Sequence, residues 1–141
     1  MKRSASAVWQ GGLKTGKGSI STESGVLASA PYSFGTRFEN VKGTNPEELI
    51  GAAHAGCFAM ALSLVLGEAG LVPERIETSA AVTIDKLADG FTITSVHLTL
   101  RAKIPGATRE AFERAAEAAK AGCPVSKVLN AKITLDKTLE A

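Results

Sequence analysis

The stretch NPEELIGAAHAGCFAMALSLVLGEAG, residues 45–70, decides the fold. Asn45 offers a side-chain oxygen at an N-cap, Pro46 stands at the first helical position, and Glu48 at N3 completes a capping box by residue type. A helix from Pro46 to about Ala69 follows, and Gly70 is a natural stop just beyond it. From Leu49 to Leu66 the only clearly polar side chains are His54 and Ser63. Such a run is about long enough to span a bilayer. It is rich in Ala and Gly, however. Glu47, Glu48 and Glu68 bracket it, with no Trp, Tyr, Lys or Arg anchors beside it. A helix apolar all round in a soluble protein is a buried one, so the reading is a long central helix covered on every side.

On the N-terminal side, Ala5 to Trp9, a Gly-rich turn at Gly11-Gly12 and short polar runs around Gly16, Gly18 and Gly25 read as β structure. Tyr32, Phe34, Arg37 and Phe38 fall in an extended stretch or loop after it. On the C-terminal side, Thr78, Ala80, Val82 and Ile84 alternate with polar or small residues and give one apolar face. Ala88-Asp89-Gly90 signals a hairpin. In the partner strand, Phe91 and Ile93 share one register, while Val96, Leu98, Leu100 and Ala102 share the other. That slip near Thr94-Ser95 predicts a β-bulge. Thr108 caps a second, amphipathic helix carrying Phe112, Ala115, Ala116 and Ala119, closed by Gly122. Cys123-Pro124 opens a further short helical turn, and Ile133 and Leu135 mark a last strand. This order predicts one α+β domain over residues 1–141, with antiparallel sheets around the long buried helix. A chain of 141 residues is too short to cover that helix alone, which predicts a tightly associated, intertwined homodimer.

Composition narrows the function. Hydrophobic residues make up 45% and charged residues 21%, an ordinary globular balance. The net charge of +2 is spread along the chain without a basic block, so neither nucleic acid nor a membrane surface is an expected partner. Met1-Lys2-Arg3-Ser4 runs straight into strand-like sequence with no apolar h-region, which predicts no secretory signal and a cytoplasmic location. In a reducing compartment a structural disulfide is unexpected, so the two cysteines are core filler or chemistry.

Cys57 lies mid-helix, where apolar surroundings raise a thiol pKa; His54 is its close titratable neighbour, three residues back on the same face. Cys123 stands at an N-cap position with Lys120 and Lys127 within about a turn, and local physics makes it the more acidic thiol. Free cysteine often packs simply as a small hydrophobe. With two Cys, two His and no Cys-x-x-Cys, no metal site or cofactor is expected. His54 reads more readily as a packed core histidine than as a partner of Cys57, and His97 has no assigned role.

Tyr32 to Phe38, Gly43-Thr44-Asn45-Pro46-Glu47-Glu48-Leu49, Ala52-Ala53-His54-Ala55-Gly56-Cys57-Phe58 and Ala121-Gly122-Cys123-Pro124-Val125-Ser126 resemble the osmotically inducible protein C family, which is related to the organic hydroperoxide resistance proteins. The resemblance runs in order over the whole chain. It implies an intertwined homodimer with two active sites at the subunit interface, a peroxidatic cysteine at Cys57 and a resolving cysteine at Cys123. It also implies an Arg at Arg37 and a Glu at Glu48 that hold the site together. Glu48 lies about 13–14 Å along the helix from Cys57 at 1.5 Å per residue, so it acts through Arg37 or another group. The implied activity is reduction of organic hydroperoxides to alcohols during oxidative or osmotic stress, through a sulfenate and a Cys57–Cys123 disulfide. An external dithiol, of lipoyl type by the resemblance, re-reduces it. Two other classes stay open on the residues alone: an acyl-thioester hydrolase, and a ligand-binding module or redox sensor without turnover.

Overall fold

The computed structural model describes residues 1–140. The chain divides into two compact units, Met1–Leu49 and Ile50–Ala141.

In the N-terminal unit, β1 (Ala5–Gln10), β2 (Lys17–Thr22) and β3 (Ala30–Tyr32) form an antiparallel meander in that order. Gly18 pairs with Trp9 on one side and Tyr32 on the other. A Cβ there would collide with both rings, so glycine allows the two aromatics to close over the strand at 5.5 Å between centroids. Helix α1 (Phe34–Phe38) follows, where a loop or extended stretch was expected from the sequence. Its cause is a short-range one: Ser33 and Thr36 cap it reciprocally, the Ser33 hydroxyl accepting from the Thr36 amide and the Thr36 hydroxyl from the Ser33 amide.

Helix α2 (Pro46–Glu68) begins and ends as the sequence indicates. Asn45 Oδ1 accepts from the Glu48 amide at 2.7 Å. At the other end the Gly70 amide bonds the Gly67 carbonyl and the Leu71 amide bonds the Leu66 carbonyl, with Gly70 at φ +75°, a Schellman stop.

In the C-terminal unit, β4 (Arg75–Leu87) and β5 (Gly90–Lys103) form a long hairpin. Thr83 pairs with Ser95 and Ile84 with Ile93, leaving Thr94 as the extra residue of the expected bulge. Helix α3 (Arg109–Gly122), capped by the Thr108 hydroxyl, and α4 (Pro124–Val128) lead to β6 (Lys132–Glu140). Strand β6 pairs with β5 in parallel, so this sheet is mixed and the all-antiparallel expectation is corrected. The physical reason is the crossover: α3 and α4 carry the chain back along the sheet before β6 begins.

The core gathers Phe58, Leu62 and Leu66 from α2, alternate residues Val96 to Ile104 from β5, Phe112, Ala115, Ala116 and Ala119 from α3, and Cys123. Phe58, Leu62 and Leu66 repeat at helical spacing, and only that face of α2 is buried. Ala52, Ala53, Gly56, Met60 and Leu64 are exposed, Met60 by 78% and Leu64 by 66%. The single chain thus leaves one face of α2 open, as expected of a chain too short to cover this helix alone. By length and apolarity alone α2 would also suffice to cross a membrane.

Candidate active site

Two clusters of chemistry-bearing residues stand out, one in each unit. In the N-terminal unit, Arg37 on α1 faces the first turn of α2. Its Nε and Nη2 both donate to Oε1 of Glu47, each at 2.8 Å. Glu47 is 7% exposed, and its Oε2 is buried without a hydrogen-bond partner among the described residues. The sequence expectation named Glu48 as the carboxylate for this arginine, and the structure corrects it. Glu48 is exposed, and its Oε2 accepts from the Thr44 hydroxyl at 2.8 Å. Residues 47 and 48 sit about 100° apart around the helix, so only one of them faces α1. Asn45 fixes that rotation: besides capping α2, its Nδ2 donates to the Thr36 carbonyl of α1 at 3.0 Å.

In the C-terminal unit, both cysteines are free, Cys57 half-buried on α2 and Cys123 fully buried where α3 ends and α4 begins. Cys57 packs against the core cluster to which Cys123 belongs, and the two thiols influence each other's ionisation. Burial pushes the Cys57 thiol up, the neighbouring Cys123 pushes it further, and a bond from the Val125 amide only partly offsets them. Burial also acts upward on Cys123. There the Cys57 thiol, the amide and hydroxyl of Ser126 and the Val125 amide outweigh it and bring the thiol below its ordinary range. Of the two thiols, Cys123 is thus the one shifted toward the thiolate, the direction its local sequence suggests. The lysines are not the cause: Lys120 is held by Glu117 at 3.2 Å.

His54, one turn before Cys57, is fully buried, and its Nε2 lies 2.7 Å from Ser126 Oγ. Burial lowers its pKa and keeps the ring neutral near pH 7. The sequence reading of a packed core histidine agrees with that burial, and the ring's partner stands 72 residues away. No group of three or more His, Cys, Asp or Glu side chains placed to hold a metal occurs among the described residues.

Two free thiols in one cluster, Cys57 partly open to solvent and Cys123 buried, are suited to thiol redox chemistry. The comparisons with known proteins define it further. The OsmC-like protein family matches residues 39–137. The chain is 58% identical over 135 residues to peroxiredoxin OsmC of Escherichia coli (strain K12), covering 96% of this chain and 94% of that one. It is 30% identical over 124 residues to the organic hydroperoxide resistance protein OhrB of Bacillus subtilis (strain 168), covering 87% and 89%. Its fold superimposes on the crystal structure of an organic hydroperoxide resistance protein from Elizabethkingia anophelis with a TM-score of 0.72 at 28% identity, over 99% of both chains. The chain belongs to the OsmC-like family.

Proposed function

We propose that this chain detoxifies organic hydroperoxides as a two-cysteine peroxidase, with Cys57 as the nucleophile and Cys123 as the resolving thiol. The observation that carries this is that Cys57 and Cys123, both free, meet in one core cluster, in a chain 58% identical to a peroxiredoxin of the family. The chain is a cysteine-based peroxidase by that kinship; the division of labour between its residues is the proposal.

In the reduced pair, Cys57 donates its hydrogen to the Cys123 thiolate. Transfer of that proton to Cys123 leaves a Cys57 thiolate, which attacks one peroxide oxygen. An S–O bond forms, the O–O bond breaks, and the departing alkoxide takes the proton and leaves as alcohol. Cys57 is thereby oxidised to a sulfenic acid. The Cys123 thiolate then attacks the Cys57 sulfur: the S–S bond forms, the S–O bond breaks, and hydroxide leaves as water with a proton from solvent. An external dithiol of lipoyl type reduces the disulfide by exchange. The family resemblance gives Arg37 a part in the chemistry, and its guanidinium, always protonated and braced by Glu47, is a fixed positive charge. Cys57 packs against the apolar core, which suits a bulky organic hydroperoxide better than hydrogen peroxide. A second copy of the chain covers the exposed apolar face of α2, giving the homodimer.

The test is multiple-turnover consumption of cumene hydroperoxide with dihydrolipoamide as reductant. Wild type turns over, and Cys57→Ser and Cys123→Ser do not; a sulfenate accumulates only in Cys123→Ser. Turnover retained by Cys57→Ser would show that the nucleophile is misassigned. Absence of wild-type turnover with any dithiol would leave a sensor or a thioester hydrolase as the activity to pursue.

A further inference from the structure

His54 is an expensive residue for its position. The face of α2 that carries it otherwise buries Phe58, Leu62 and Leu66, and an apolar side chain would fit there without leaving a polar atom unsatisfied. As it stands, Nδ1 is buried with no hydrogen-bond partner among the described residues, and the ring's hydrogen bond is to Ser126 Oγ at 2.7 Å. The spacing is the same on both sides: His54 precedes Cys57 by three residues on α2, and Ser126 follows Cys123 by three residues across α4. The His54–Ser126 contact therefore lies alongside the Cys57–Cys123 pair.

The tautomer follows from the unsatisfied nitrogen. A proton on Nδ1 would be a buried N–H without an acceptor, which is rarer in folded proteins than an acceptor left without a donor. With the proton on Nε2 instead, the ring donates to Ser126 Oγ. A hydroxyl has one hydrogen to give, and with His54 supplying a donor at its oxygen that hydrogen is directed away from the ring. Ser126 stands three residues past Cys123 in the first turn of α4, and its hydroxyl is among the groups that favour the Cys123 thiolate.

We propose that His54 and Ser126 are positioning residues for disulfide formation: His54 orients the Ser126 hydroxyl, and that hydroxyl holds the Cys123 sulfur as an aligned thiolate facing Cys57. The proposal rests on the two-cysteine reading above. The step it serves is the second one, in which Cys123 attacks the Cys57 sulfenate, the S–S bond replaces the S–O bond, and hydroxide is protonated by solvent to water. Ser126 does not bond Cys57, so the first step, S–O bond formation with peroxide, is served only indirectly.

The experiment is a single turnover of the full-length reduced protein with stoichiometric cumene hydroperoxide. Rapid quenching with a sulfenate-trapping dione and mass analysis resolve the sulfenate from the disulfide. In Ser126→Ala, sulfenate formation stays within a few-fold of wild type and disulfide formation slows about ten- to a hundred-fold, the value of one hydrogen bond to a charged group. His54→Leu, which fills the space and removes the donor, slows the same step. His54→Gln, whose amide N–H reaches the place of Nε2–H, restores it to within a few-fold of wild type. A packing role for His54 predicts the reverse order, with Leu tolerated at least as well as Gln. Disulfide formation at wild-type rate in Ser126→Ala, or equal slowing of both steps, overturns the proposal. Failure of the wild type itself to form the Cys57–Cys123 disulfide overturns the two-cysteine reading and this proposal with it.

Discussion

Arg37 and Glu47 are joined through a single oxygen: Nε and Nη2 of the guanidinium each lie 2.8 Å from Oε1, while Oε2 is buried with no hydrogen-bond partner among the described residues. Glu47 thus positions the guanidinium, and Glu48 belongs to the helix start. Glu47→Ala is expected to lower kcat/KM for cumene hydroperoxide by about a hundred-fold, the order of loss when a catalytic charge is misplaced. Arg37→Ala should lose about as much, and the double variant little more, because the two act as one unit. Glu48→Ala should stay within a few-fold of wild type. Equal losses at Glu47 and Glu48 would mean that the pairing seen here is not the functional one.

The dithiol titrates as a pair. Followed by ultraviolet thiolate absorbance, the first proton should leave below the ordinary thiol range and the second above it. The low step should vanish in Cys123→Ser. It should persist in Cys57→Ser, where the Ser126 and Val125 donors remain. A low step that disappears with Cys57 instead would reverse the assignment of charge.

His54 links stability to pH. Its folded pKa is depressed by burial, so the neutral ring contributes stability that is fully present above about pH 6.5 and is lost as pH falls from there toward the folded value. Urea midpoints measured downward from pH 7 should therefore fall for wild type, and the fall should be shallower in His54→Gln. Identical slopes for the two proteins would show that His54 is not the titrating group.

The exposed side of α2 presents Met60 and Leu64 at 78% and 66% exposure. Association through this face predicts a dimer for wild type by light scattering, and Leu64→Asp should shift it to monomer. A wild-type monomer at micromolar concentration would remove the dimer from the proposal.

Gly70 holds φ +75° at the end of α2, with open space around the position of a Cβ. Gly70→Ala should therefore meet no clash and cost about 1–2 kcal/mol through the backbone alone, read as a lower urea midpoint with unchanged slope.

What the sequence by itself determined is what depends on near neighbours. The Asn45 and Thr108 caps, the Gly70 stop, the alternating face of β4 and the bulge at Thr94 each follow from chemistry within a few residues. The acidity of Cys123 was legible for the same reason, since the amides and hydroxyl that favour its thiolate lie two and three residues further on. Even α1 had a local signal in Ser33 and Thr36, a reciprocal cap within the stretch read as a loop. Only the tertiary structure decided the rest. Glu47 and Glu48 are interchangeable by type, and the rotation of α2 against α1, set through Asn45 and Thr36, chooses between them. His54 meets Ser126 across 72 residues, and β6 runs parallel to β5 because two helices intervene. For α2, apolar all round in sequence, the structure decides which face this chain buries itself: a face is buried only where the chain supplies something to pack on it.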